Sequence, residues 1–355
     1  MVKKVIYFFI LITATFILFE LALMVLVKTG NLNILMPNYQ TNPHEDFSPI
    51  RSNIFGHKHL PNSNYRVKKY CTETDYTFNE LGFRDQLENK NSKKKRVVVI
   101  GDSFMEGVGV SEEERLSDLL ESESGLKHLN FGMADKGTTQ AYLIYDSIAR
   151  QFNHNAILWS IFPTNDLIDD DPNFGKTVNG IKPCWDGDYP NYKLKFFPEN
   201  APQKKPNVAW KRFLKSYTYT YDALFFLKEV FKLKFSEQNK FPQSGYFNYN
   251  QSQVNRMIYS IEKLKKASNG KPITIICIPS TIDLDVKSEK NQVNIEAVLE
   301  QTCDRLDINF IGLFDFFQAK ENPIENYYYE CDSHWNPEGH KLVANILKEN
   351  GEIYK

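Results

Sequence analysis

The run Val97-Val98-Val99-Ile100 leads without a break into Gly101-Asp102-Ser103. Consecutive branched apolar residues suit a strand buried on both faces, the usual state of strands in parallel sheets. Parallel strands need crossover connections, so this run predicts strands alternating with helices around it. The alternation is present. The capping-box sequence Ser111-Glu112-Glu113-Glu114 opens a helix striped by Leu116, Leu119 and Leu120. A short strand over 127–130, a helix carrying Ala141, Ile144, Ile148 and Phe152, and a buried strand over 156–162 follow. Regularity then stops between about 167 and 250, where a hairpin over 183–197 turns near Asp186-Gly187 and an aromatic-rich helix covers 208–231. It resumes with a helix over 251–267, a strand over 272–278, a helix over 293–305 and a strand over 308–313. The last helix is capped by Asn336, opened by Pro337 and stopped at Gly351. Five strands joined in this way predict an α/β fold, a flavodoxin-like, doubly wound parallel sheet.

The chain begins differently. Residues 5–27 are apolar apart from Thr13, Thr15 and Glu20. As a helix they span about 34 Å, enough for a bilayer core of about 30 Å. The apolar stretch is longer than a signal peptide's and lacks a small-residue cleavage site, so it reads as an uncleaved transmembrane anchor. Lys3 and Lys4 precede it, and after Lys28 no Lys or Arg occurs before Arg51. The positive-inside bias places the N-terminus in the cytoplasm of a bacterial cell and the rest of the chain outside the cytoplasmic membrane. Glu20 reads as an isolated, tolerated charge ahead of the alternative, the mark of a helix partner. The chain thus divides into a tip and anchor (1–28), a stem and irregular lead-in (29–94), and a main domain (95–355) with an insertion at about 167–250.

With 43 basic and 44 acidic residues, the chain carries no global field toward nucleic acid. The runs Lys93-Lys94-Lys95-Arg96 and Lys263/Lys265/Lys266 read as solvated faces. Of five cysteines, Cys277 lies in the apolar run 273–278 and reads as core. Cys71, Cys184, Cys303 and Cys331 allow one or two disulfides of open connectivity. No C-x-x-C pair supports a zinc site, and His334 with His340 lacks further ligands, so no metal or other cofactor is expected. His340 reads as a packing or helix-surface residue. Gly107-Val108-Gly109 lacks the remainder of a dinucleotide fingerprint.

Ser103 stands where a parallel strand ends, the edge at which open α/β sheets place reactive groups. Asp332-Ser333-His334 precedes the last helix. A serine hydroxyl becomes a nucleophile when a base takes its proton, and the base works best when a carboxylate fixes its tautomer. These three residue types, in the order Ser, Asp, His, point to acyl chemistry.

Gly101-Asp102-Ser103, Asn165 in Pro163-Thr164-Asn165-Asp166, and Asp332 with His334 resemble the ordered sequence blocks of the SGNH (GDSL) hydrolase superfamily over about residues 96–350. Asn79-Glu80-Leu81-Gly82-Phe83-Arg84 resembles the lead-in of its membrane-anchored branch. The resemblance implies Ser103 as nucleophile, His334 as general base and acid, and Asp332 as orienting carboxylate. It further implies an oxyanion hole from the Ser103 backbone N–H, a backbone N–H on the loop 130–135, and the Asn165 side chain. Two positions depart from the pattern. The loop residue that is usually glycine falls on Asp135, with Gly132 and Gly137 as alternative donors. One residue rather than two separates Asp332 from His334, a spacing similar to that of alginate O-acetyltransferase-like relatives. The implied activity is a membrane-anchored serine esterase for an O-acyl, above all O-acetyl, group on a cell-surface carbohydrate. An O-acetyltransferase with the same triad and a non-catalytic carbohydrate-binding scaffold are the alternatives. The insertion aromatics Trp185, Tyr189, Tyr192, Trp210, Tyr217, Tyr219 and Tyr221 are core at their spacing, or a sugar-stacking surface.

Overall fold

Every residue of the strands Arg96–Ile100 and Ile273–Cys277 is buried, as the apolar runs require. In this computed structural model, residues 2–32, 34, 50–68, 71–86, 89–175, 182–197, 209–235, 245–285, 293–330 and 332–354 are described. In chain order the strands are β1 Ile50–Ser52, β2 Gly56–Lys58, β3 Asn64–Lys68, β4 Glu73–Thr77, β5 Arg96–Ile100, β6 Lys127–Asn130, β7 Ala156–Ile161, β8 Lys182–Asp186, β9 Lys193–Phe197, β10 Ile273–Cys277, β11 Asn309–Gly312, β12 Tyr328–Tyr329 and β13 Asp332–Trp335. The α-helices are α1 Val2–Lys28, α2 Ser103–Glu106, α3 Leu116–Ser124, α4 Thr138–Ser147, α5 Pro163–Asp169, α6 Pro172–Gly175, α7 Ala209–Tyr217, α8 Tyr219–Phe235, α9 Gln251–Ala267, α10 Thr281–Leu284, α11 Ile295–Arg305, α12 Phe314–Gln318, α13 Pro323–Tyr327 and α14 Pro337–Asn350.

The chain forms two units: residues 1–46, 65–75 and 205–241 make one, and the remainder makes the other. The larger unit contains the predicted sheet. Its five strands are all parallel, in the order β11-β10-β7-β5-β6. Val97 pairs with Ala156 on one side and His128 on the other, so β5 has neighbours on both flanks. The chain crosses from β6, on one side of β5, to β7 on the other. The C-terminal ends of β5 and β7 therefore flank the point where strand order reverses, the crevice such sheets use for ligands. Helix α4 packs on α9, and α3 on α14.

The lead-in is more ordered than its composition suggests. Its described residues form the hairpin β1–β2 and the pair β3–β4. The Asn79–Arg84 segment then folds into a buckle. The Asn79 side chain accepts the N–H groups of Leu81 and Phe83 and donates to the carbonyl of Asp85. Phe83 is buried in the core, and the Arg84 guanidinium lies over the Tyr76 ring while donating to the carbonyls of Gly107 and Val110. Arg115 in turn donates to the Arg84 carbonyl. Arg115 is extended, so the expected helix divides into a capped 3-10 turn at Glu112–Glu114 and α3.

Several expectations are corrected or narrowed. Arg96, at the end of the basic run, is buried and donates to the carbonyls of Asn89, Lys90 and Asn153, whereas Lys93 to Lys95 are exposed. Cys71 is disulfide-bonded, but Cys184 and Cys303 are buried free thiols like Cys277. That leaves room for one disulfide rather than two; Cys331 lies outside the described residues. His340 is a packing residue, buried with its ring edge-on to Trp335.

In the smaller unit, α1 is the one described helix long and apolar enough to cross a membrane. Glu20 is not an isolated charge. Its carboxylate accepts the backbone N–H groups of Tyr219 (2.7 Å) and Thr220 (2.9 Å) and so caps α8. This cap explains why the expected single helix over 208–231 is two, broken at Thr218; Val208 lies outside the described residues. Leu23, Val27, Ile34, Tyr219 and Ala223 close the contact as a small apolar cluster.

Glu296 on α11 accepts from Tyr246 Oη and from the Phe314 N–H, both at 3.0 Å. Burial pushes its carboxyl up to about 7. Near that pH the folded chain retains a proton that the unfolded chain, with an ordinary carboxylate, has lost. Stability therefore falls as pH rises through 7. Between pH 6.5 and 8 the Glu296 contribution is on the order of 1 kcal/mol. Thermal melts of the detergent-solubilised chain should show a midpoint that falls over this window, and a shallower fall in Glu296→Gln. Equal slopes in the two chains would contradict the assignment.

Candidate active site

The position of Ser103 is built by three local constraints. Gly101, at φ 151°, ends β5 in a conformation that favours glycine. A Cβ there would run into Ser160 Oγ and approach Met105 Cγ to 2.7 Å. Asp102 caps α2, its Oδ1 accepting the Phe104 N–H at 3.0 Å. Ser103 is thereby the first helical residue, and its Oγ projects at the C-terminal edge of the central strand.

His334 and Asp332 lie on β13, which pairs antiparallel with β12. Alternate residues of a strand face the same side. One intervening residue therefore suffices to place the carboxylate beside the imidazole, which accounts for the short spacing. His334 Nε2 is 2.7 Å from Ser103 Oγ, and His334 Nδ1 is 2.6 Å from Asp332 Oδ1. With the imidazole proton on Nδ1, that nitrogen donates to Asp332 while Nε2 accepts from the serine hydroxyl. Phe104 supports the arrangement, its ring 5.0 Å from that of His334 and 4.8 Å from that of Trp335. Tyr328 and Tyr329 fasten β12 by donating to the carbonyls of Pro279 and Gly109.

The loop after β6 is pinned to the nucleophile helix. Asn130 Nδ2 donates to the Met105 carbonyl and its Oδ1 accepts the Gly132 N–H. A Cβ on Gly132 would approach Met105 Cβ to 2.5 Å and Glu106 N to 2.7 Å, so glycine is required by proximity. Glu106 Oε2 accepts from Ala134 N and lies 3.0 Å from His59 Nε2. Burial alone would raise this carboxyl, but His59 and the Ala134 N–H hold it below the usual range. The Gly137 N–H donates to Gln140 Oε1. Both glycine alternatives are thus engaged, whereas the Asp135 N–H makes no hydrogen bond among the described residues. Asp135 adopts φ 59°, and its side chain is 77% exposed, with Oδ2 3.9 Å from His57 Nε2. The carboxylate faces solvent, so its charge is screened from the backbone donor.

Asn165 lies in the first turn of α5, directly after β7. Its carboxamide makes no hydrogen bond to a described residue. Ser103, Asp135 and Asn165 follow three adjacent strands, β5, β6 and β7, at the same edge of the sheet. Beneath them Asp102 and Asp166 are buried. Burial pushes Asp102 up to about 7, and pushes Asp166 well up with Asp102 adding to the shift.

The residues not anticipated are Glu106 and His59, together with the bonds by which Arg84 of the lead-in block holds the end of α2. Glu106 sits three residues after Ser103, on its helix, which is a local cue; its partners come from distant segments. Among the described residues no group of His, Cys, Asp and Glu is arranged to hold a metal ion.

The site is thus an open parallel α/β sheet with Ser103, His334 and Asp332 in hydrogen-bond contact at its strand ends. Compared by sequence, the chain matches no protein-family model and no curated protein. Compared by structure, it is similar to a member of the lipolytic protein G-D-S-L family from Veillonella parvula (14% identity, 72% of this chain and 97% of that one, TM-score 0.38). It is also similar to a GDSL-like lipase from Bacteroides thetaiotaomicron (10%, 74% and 90%, 0.39) and to the lipase/acylhydrolase from Enterococcus faecalis (9%, 72% and 96%, 0.37). At such low identities and scores the likeness says nothing about this chain's chemistry, which rests on its own geometry.

Proposed function

We propose that the chain is a membrane-anchored serine esterase that cleaves O-acyl groups, with O-acetyl groups of a cell-surface carbohydrate as substrate. The observation that carries the reading is the unbroken relay from Ser103 Oγ through His334 to Asp332. Ser103 Oγ bonds to the acyl carbon as its proton passes to His334 Nε2. Asp332, holding Nδ1–H, stabilises the imidazolium. The tetrahedral oxyanion is met by the N–H groups of Ser103 and Asp135 and by Asn165 Nδ2. Collapse breaks the ester C–O bond, and the leaving alcohol takes the proton from His334. Water then repeats the sequence and frees the acid from Ser103. The carbohydrate preference rests on the outward orientation proposed for the chain beyond α1 from Lys3 and Lys4.

The full chain in lipid nanodiscs, supplied with p-nitrophenyl acetate with and without an oligosaccharide, tests this. Release of nitrophenolate with free acetate as the only acyl product is the expected result. Acetylated sugar in place of acetate would make the enzyme an O-acetyltransferase, and no turnover would favour a carbohydrate-binding scaffold. Asn165→Ala should lower kcat by about 10²- to 10³-fold, as loss of one oxyanion donor does. Asp135→Gly keeps the backbone donor and suits the positive φ, so turnover should stay within about twofold. A large loss in Asp135→Gly, measured by the same assay, would assign the side chain a role that this mechanism lacks.

A further inference from the structure

We propose that α7 and the first half of α8 form a second lipid-binding surface, seated in the same bilayer that α1 crosses. The inference rests on the reading of α1 as a membrane anchor. On α7, Trp210, Phe213, Leu214 and Tyr217 recur at i, i+3, i+4 and i+7, so they share one face of the helix. Trp210, Phe213 and Tyr217 are each more than half exposed. On α8, the consecutive residues Leu224, Phe225, Phe226 and Leu227 are all exposed. At 3.6 residues per turn four successive side chains sweep about 300° of the circumference. A helix that is apolar nearly all round belongs in a core or in lipid. Here those four side chains lie outside the buried core.

The occupant follows from what holds α8. Glu20 of α1 caps its first turn, and Tyr219 and Ala223 pack on Leu23 and Val27. The exposed side of α8 is therefore continuous with the exposed apolar surface of α1, where Leu21, Val25 and Leu26 are also bare. Lipid that surrounds α1 at this level meets Leu224 to Leu227 as well. A tryptophan and a tyrosine at the ends of the α7 stripe suit the headgroup boundary, where amphipathic rings concentrate.

Trp210 makes the test direct. Trp159, Trp185 and Trp335 are buried, so the difference in emission between the native chain and Trp210→Phe isolates the exposed ring. The full chain is reconstituted in phosphatidylcholine vesicles with or without bromine on the acyl chains. The expected result is that brominated lipid removes most of the Trp210 emission while aqueous acrylamide leaves it largely intact. Quenching by acrylamide and not by brominated lipid would overturn the inference. Quenching by neither would also overturn it and would identify a second copy of the chain as the cover. Carbonate washing separates this from the anchor. A chain retained by the vesicles with Trp210 open to acrylamide defeats the lipid surface alone; a chain washed off defeats the anchor reading too.

Discussion

Ser103→Ala and His334→Ala are each expected to lower kcat for an ester substrate by about 10⁶-fold, and the double variant should be no worse than either. The reason is that Ser103 Oγ and His334 Nε2, 2.7 Å apart, act as one unit: the hydroxyl is inert without the base, and the base has nothing to activate without the hydroxyl. Independent contributions would instead multiply. Residual turnover about 10³- to 10⁴-fold above the uncatalysed reaction should persist in both, because the oxyanion donors and the binding crevice remain. Melting temperatures of the variants should match the native chain, since the Ser103 side chain caps nothing and His334 is partly exposed. Measured kcat values that add on a logarithmic scale would show that the two groups serve separate steps. A Ser103→Ala chain with undiminished turnover would remove the serine mechanism altogether.

Gly101→Ala should cost more in folding than any other single methyl added near the site. The new Cβ meets Ser160 Oγ on β7 and Met105 Cγ on α2, while the backbone sits at φ 151°. Both neighbours are buried. Ser160 is fixed in the middle of a parallel sheet, paired with Ile276, and Met105 is buried under the loop after β6. Strain of this kind costs on the order of 1–3 kcal/mol for the backbone, with a similar amount for the overpacking. Loss of several kcal/mol is a large share of a domain's stability. The expected outcome is a large drop in thermal midpoint, and in any folded fraction a Ser103 displaced enough to cut kcat by about 10²-fold. Trimming the neighbour in Gly101→Ala/Ser160→Gly should restore part of the midpoint because it removes the nearest obstacle. A Gly101→Ala chain that melts like the native one would show that the turn between β5 and α2 is built differently.

Glu106 and Arg84 extend the same point. Neither side chain belongs to the relay, yet each ties a distant segment to α2: Glu106 through Ala134 and His59, Arg84 through the carbonyls of Gly107 and Val110. The lead-in is thereby part of the support of Ser103. Its composition, poor in periodicity, hides this, because the bonds are between side chains and carbonyl groups far apart in sequence.

The five parallel strands were legible from the apolar runs because burial on both faces leaves no room for polar alternation, and a run such as Val97–Ile100 can satisfy that only inside a sheet. That Ser103, Asp332 and His334 could meet was legible for a similar reason: their residue types suit one another, and their positions at element ends follow from the alternation. Asn165 could be placed at the end of β7, but its role depends on what surrounds its carboxamide. What remained for the tertiary structure was every choice among equivalent local options. Gly132, Asp135 and Gly137 all offer a backbone N–H, and only the folded chain shows that Asn130 and Gln140 occupy those of the two glycines. Glu20 is a lone carboxylate in an apolar run until α8 arrives nearly two hundred residues later to be capped by it. Sequence carries the free energy of burial residue by residue, so it fixes which segments go inside. Hydrogen bonds between remote segments depend on which pairs the folded chain brings within reach, and that is decided only when the sheet has closed.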